Sequence, residues 1–124
     1  MAAPNVVNVS SIYGKTTGLA LTSSSQDVLT CAAEKLLKVN SIIVANVDGT
    51  DNDEVTVKWY NADNTTAFSL ASTVTVPADT TLVVLGKDAP IYLEEGDKIQ
   101  ALGVGASGKL EIIVSYEELD DAST

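Results

Sequence analysis

LLKVNSIIVANVDGTDNDEVTVKWYN, residues 36–61, decides how this chain folds. Its first half is rich in β-branched residues and free of Gly and Pro. Leu37, Val39, Ile43, Ala45 and Val47 share one parity, and Lys38, Asn40 and Asn46 take the other, as in a strand with one dry and one wet face. Its last eight residues alternate again, with Val55, Val57 and Trp59 against Thr56, Lys58 and Tyr60. Between them VDGTDNDE, 47–54, sets four carboxylates and an Asn around Gly49. Asp48-Gly49 is a strong turn pair, so the stretch is expected as a β-hairpin with a long polar tip.

The pattern continues in both directions. Upstream, SIYGKTTGLALTS reads as extended chain with glycine irregularities, and DVLTCAA at 27–33 as a shorter strand. SQDVLTCAAEKLLKV also fits a helical spacing, the less favoured alternative. Downstream, strands are expected at 65–70, 72–77, 80–86, 89–97 (a short strand running into an acidic turn), 98–105 and 109–119. In the last of these, Leu110, Ile112, Val114 and Tyr116 oppose Lys109, Glu111 and Ser115. About eight strands with alternating faces exclude a doubly wound parallel sheet. They predict an all-β antiparallel β-sandwich, jelly-roll-like or immunoglobulin-like. The 1–124 chain is expected to be a single domain, with an extended N-terminal arm (about 1–11) and an acidic C-terminal tail (about 117–124), mobile unless a partner holds it.

With 45% hydrophobic and 19% charged residues, the 124-residue chain has the makings of one real core. No apolar run approaches the roughly 20 residues that cross a bilayer, and MAAPNVVNVSS lacks the pattern of a secretory signal. Seventeen acids against seven lysines, with no Arg, give a net charge of -10. Such a surface neutralises phosphates poorly, so neither nucleic acid nor an anionic membrane is an expected partner. The absence of His removes the commonest catalytic base and zinc ligand. Cys31, the single cysteine, is expected as a small buried hydrophobe.

Few stretches carry candidate chemistry. VDGTDNDE fails the EF-hand pattern, because Gly49 follows directly on Asp48. An irregular calcium site at Asp48, Asp51 and Asp53 is the alternative to a solvated turn, and the turn is preferred. Glu94 and Glu95 in EEGD suggest an acid–base pair for glycoside hydrolysis, but neighbours at a strand end point to opposite faces, so EEGD, Asp97 included, is preferred as a solvated turn. Gly103, Gly105 and Gly108 lack the Lys and helix of a phosphate loop and read as turn glycines. Trp59 lies on the face of Val55 and Val57 and is expected in the core. Hence no catalytic, cofactor-binding or metal residue is assigned, and no cofactor is expected.

Residues Ile12, Tyr13, Gly14 and Lys15, then Val44, Ala45, Asn46, Asp48 and Gly49, sit in a sequence that resembles small virion structural proteins of tailed phages, those of marine bacteria especially. Pro90, Ile91, Tyr92, Leu93, Glu95, Gly96 and Asp97, then Ser115, Tyr116 and Glu117, extend the resemblance over nearly the whole chain. The resemblance implies a non-enzymatic β-sandwich located in the virion. It would decorate or cement the capsid, or sit in the neck or tail. Its expected partners are the major capsid protein or neck and tail proteins, and further copies of itself, with a trimer favoured. A carbohydrate- or receptor-binding module of a fibre is the alternative from another class, disfavoured by few aromatic residues. An enzyme is the least supported reading, since no base stands beside a nucleophile.

Overall fold

The computed structural model describes residues 9–105 and 109–121. It is an all-β sandwich of two antiparallel sheets. The strands are β1 (Val9–Ala20), β2 (Gln26–Thr30), β3 (Lys35–Asn46), β4 (Asp53–Asn61), β5 (Thr66–Val76), β6 (Thr81–Leu85), β7 (Ile91–Leu93), β8 (Lys98–Gly103) and β9 (Leu110–Asp121). One sheet runs β1-β9-β3-β6, with β7 also on β3, and the other runs β2-β8-β4-β5. The pairs nest: β1 with β9, β2 with β8, β3 with β7, β4 with β5. The chain is thus one long ribbon, doubled on itself and rolled so that its successive strand pairs alternate between sheets. That is the jelly-roll arrangement, so of the two sandwich types expected the strand order selects the first. SQDVLTCAAEKLLKV is strand β2, a turn and the start of β3, with no helix.

The rolled ribbon corrects the expected hairpin at 36–61. β3 and β4 lie in different sheets and do not pair; VDGTDNDE bridges the layers. The parity within β3 also changes. Leu37 and Val39 point into the core, but so do Ile42 and Val44, all at most 2% exposed. The register with β9 slips between Val39 and Ser41. One extra residue, Asn40, sits in that bulge and reverses every side chain after it. Ile43 consequently turns to the outer face, level with Ile113 on β9 and Val83 on β6, and Val47 is exposed instead of buried. Asn46, expected in water, is buried.

β5 is a single strand where two were expected. Its pairing with β4 slips twice around Val57, and Thr73 takes a positive φ of 45°. There the Thr73 N–H donates to Oγ1 of the buried Thr56 at 3.0 Å. The core is aliphatic: Leu21, Leu29, Cys31, Val39, Ile42, Val44, Val55, Val57, Leu93, Ile99, Ile112 and Val114 fill the space between the sheets, with Trp59 and Tyr116 packed at its margin.

Both ends of the chain enter the sheet farther than expected. Pairing of Val9 with Asp121 carries β1 and β9 through 9–11 and 117–121. Lys15 reaches Glu118 at 3.3 Å, and Lys35 binds both Glu118 and Asp120, the latter also accepting from Ser11 Oγ. Residues 1–8 and 122–124 of the expected arm and tail, and Gly108, lie outside the described residues.

Candidate functional site

The acidic connection 47–54 is organised from within. Asn46 is 3% exposed, and its Nδ2 donates to the carbonyls of Val76 (2.8 Å) and Asp51 (3.0 Å), while its Oδ1 accepts the Asp48 N–H (2.9 Å). The side chain thereby replaces the ladder that ends at β3. Asp48 Oδ1 then accepts the N–H groups of Thr50 and Asp51 and the Thr50 hydroxyl, an Asx-type turn. These hydrogen bonds, chiefly that from the Thr50 N–H, pull the Asp48 pKa down to about 2. Lys109, from the β8–β9 connection, stands 3.1 Å from Asp51 and 3.6 Å from Asp48. Hydrogen bonding to Asp51 raises its own pKa.

Asp53 faces the other way. It is 6% exposed, and its Oδ1 accepts the N–H groups of Gly105 (2.7 Å) and Glu54 (2.8 Å). A Cβ at position 105 would stand 2.8 Å from that oxygen, so glycine is needed for the backbone to approach the carboxylate. The three aspartates considered for calcium therefore have separate employments: a turn, a lysine and a buried clamp. Among the described residues no group of three or more potential metal ligands converges. Only part of the expected solvated tip is solvated.

EEGD behaves similarly. Glu94 and Glu95 do not face each other as an acid–base pair across a cleft: Glu95 Oε2 accepts the Glu34 N–H at 2.7 Å, and Glu94 is exposed at the end of β7. Asp97 is 3% exposed and accepts the N–H groups of Ala62 and Glu94, each at 3.0 Å. Cys31 is 2% exposed, with burial pushing its thiol up to about 11. It is the small buried residue that was expected.

Trp59 departs from expectation. It is only partly buried, beside an apolar cleft of about 300 Å³ that it lines with Leu70, Ile91 and Tyr92. Phe68 stacks on it with ring centroids 5.7 Å apart. Phe68 and Tyr92 are 50% and 46% exposed. Alternation alone could not reveal this, because Trp59 keeps the inward parity but lies where the two sheets part.

Acid should destabilise the fold through these contacts. The pKa values of Asp27, Asp48 and Asp120 are all depressed, by hydrogen bonds from Gln100, Thr50 and Lys35 respectively as the main causes. Groups with lowered folded-state pKa contribute their stability above the unfolded value, 3.8, and lose it as pH falls through the folded value. Melting temperature should therefore hold steady down to about pH 5 and decline toward pH 2, with a shallower decline in Asp48→Ala. Millimolar calcium or a chelator should leave the melt unmoved, since stabilisation needs a ligand selective for the native state. A rise of several degrees that Asp51→Asn with Asp53→Asn abolishes would make 48–54 a cation site.

No protein-family model matches the sequence, and no curated protein matches it. Solved structures do. The chain is similar to a subunit of Bacillus endospore appendages, a novel family of disulfide-linked pili, at 14% identity and TM-score 0.54 over 90% of this chain and 88% of that one. It is similar to the Drosophila NLP core, a structure that bears on pentamer formation and histone binding, at 13% identity and TM-score 0.51 over 88% and 99%. A pentameric capsid protein from metagenomic phage sequences is a looser likeness, at 15% identity and TM-score 0.37 over 87% and 68%, and carries no functional weight. At these identities the likeness is one of fold.

Proposed function

We propose that the chain is a non-enzymatic structural subunit of a tailed-phage virion, assembling with copies of itself and decorating or cementing the outer capsid. A neck or tail position is the second choice within the same class. The observation that carries the reading is a jelly-roll sandwich whose buried acids, Asp53 and Asp97, hold its own turns, in a sequence that resembles small virion proteins from Ile12 to Glu117. Jelly rolls recur in viral capsids, which is an analogy of fold and weighs less than the residues. Net charge of -10 suits an outer surface better than contact with packaged DNA. The pilus subunit of similar fold adds a precedent for building extended assemblies. Cys31 departs from that precedent, because a thiol 2% exposed cannot link copies by a disulfide. Copies would instead join through non-covalent surfaces, a trimer being the first stoichiometry to look for.

A fibre module that binds carbohydrate is the second reading, favoured by the exposed rings of Phe68 and Tyr92. Glycan arrays should be blank for a capsid protein and positive for this alternative. The decisive test is location. Mass spectrometry of purified particles should find the chain, and cryo-electron microscopy should place it on the capsid exterior. Particles without the chain would overturn the proposal.

A further inference from the structure

Among the described residues the sandwich has two open sides: β1 lies beside β2 on one, and β5 beside β6 on the other. Exposed edges invite pairing with another chain, and natural sheets blunt them with charges, prolines or short strands. Here register slips near Ser11 and around Val57 interrupt the two long edges, but charges and prolines hardly blunt them. β5 is eleven residues, TAFSLASTVTV, with no ionisable side chain and no Pro. β1 is twelve residues with one charge, Lys15, already engaged by Glu118 at 3.3 Å. In a chain of net charge -10 this neutrality is conspicuous.

Next to β5 is the apolar cleft of Trp59, Leu70, Ile91 and Tyr92. Trp59 Nε1–H is buried there with no acceptor among the described residues. Across the molecule β1 presents Ile12 and Tyr13, 56% and 52% exposed. One side therefore carries apolar projections on an open edge, and the other carries an open edge beside an apolar recess.

We propose that copies of this chain join head to tail, the β1 edge of one lying along the β5 edge of the next, with Tyr13, which shares the parity of Leu19, covering the cleft at Trp59. Charge selects the occupant. Copies that repel one another must meet through neutral surface, whereas a cationic partner would be drawn to the acidic connections at 48–54 and 94–97. Pairing satisfies the outward N–H and C=O groups of both edges. Because the two contact surfaces differ, the contact is heterologous and generates a closed ring or a filament. The contact goes beyond the virion reading, since it forms in solution and needs no particle.

The test uses the purified full chain, sedimentation, and the fluorescence of its single Trp. From micromolar to about 1 mM, where even a weak contact forms, mass should rise and acrylamide quenching of Trp59 should fall. Tyr13→Glu on β1 and Ser69→Glu, an exposed residue of β5, should each weaken association at least about tenfold. Mixed together, they should form a dimer that grows no further, because each retains the edge the other lacks. Ile12→Glu and Ala67→Glu serve if either variant melts far below the wild type. A chain monomeric at 1 mM overturns the proposal and leaves the edges to a foreign chain. Variants that assemble like the wild type, or a mixture that stays monomeric, overturn it too. Absence from virions would not bear on any of these readouts.

Discussion

Ile42→Ala should destabilise the protein by about 2–5 kcal/mol, while Ile43→Ala should change stability by less than about 1 kcal/mol. The two residues are adjacent, identical in type and central in the same strand. They differ because the bulge at Asn40 turns Ile42 into the core, at 0% exposure, and Ile43 onto the outer face beside Ile113 and Val83. Truncating Ile42 removes buried methylene groups and leaves a void between Val39, Val44 and their neighbours from the opposite sheet. Chemical denaturation of both variants reads the difference directly. Lysine substitutions sharpen it: Ile42→Lys should prevent folding and Ile43→Lys should be tolerated. The reverse order would mean that β3 keeps one parity throughout and has no bulge.

Asp97→Ala is the second large loss. The carboxylate is 3% exposed and holds the β4–β5 turn through the Ala62 N–H and its own turn through the Glu94 N–H. Its backbone carbonyl accepts from Cys31, whose own carbonyl accepts from Gly96. Gly96 takes a φ of +86° with Ala62 Cβ 3.0 Å from where its side chain would begin, so the turn tolerates no other residue easily. Removing the carboxylate strands two partly buried donors at about 1–3 kcal/mol each, for a total loss of about 2–6 kcal/mol. Asp97→Asn keeps one good acceptor and should lose about half as much. Equal stability of Asp97→Ala and the wild type in urea would return EEGD to the status of a simple solvated turn.

Strand positions were legible because alternation is a local signal, and the face of Leu110, Ile112 and Val114 was read as it stands. What failed was non-local. Asp48-Gly49 marks a turn whatever follows it, but whether β4 returns beside β3 or crosses to the other sheet depends on β8 and β9, far along the chain. The bulge was hidden because one extra polar residue in a run of β-formers leaves no trace in composition. Asp53 and Asp97 were read as solvated from residue type alone. A signal was present in both cases: Asp53 shares its parity with Val55 and Val57, and Asp97 with Ile99 and Ala101, the inward residues of their strands. An acid in phase with a buried face is a candidate clamp, and the phase would have outweighed the type.

The nesting of the ribbon has a kinetic side. β1 and β9 form one of the longest pairings in the molecule, and Ser11 finds its partner Asp120 across 109 positions of sequence. Such contacts close only after long loops have been ordered, which puts sandwiches of this kind among the slow folders, at milliseconds to seconds. During synthesis β1 emerges well before β9, the strand it lies against, has left the ribosome. Through that interval it is a nearly uncharged, aggregation-prone ribbon in search of a neighbour, its Lys15 still without Glu118. A chaperone that shelters β1, or fast elongation through the last strand, would raise the yield of folded protein.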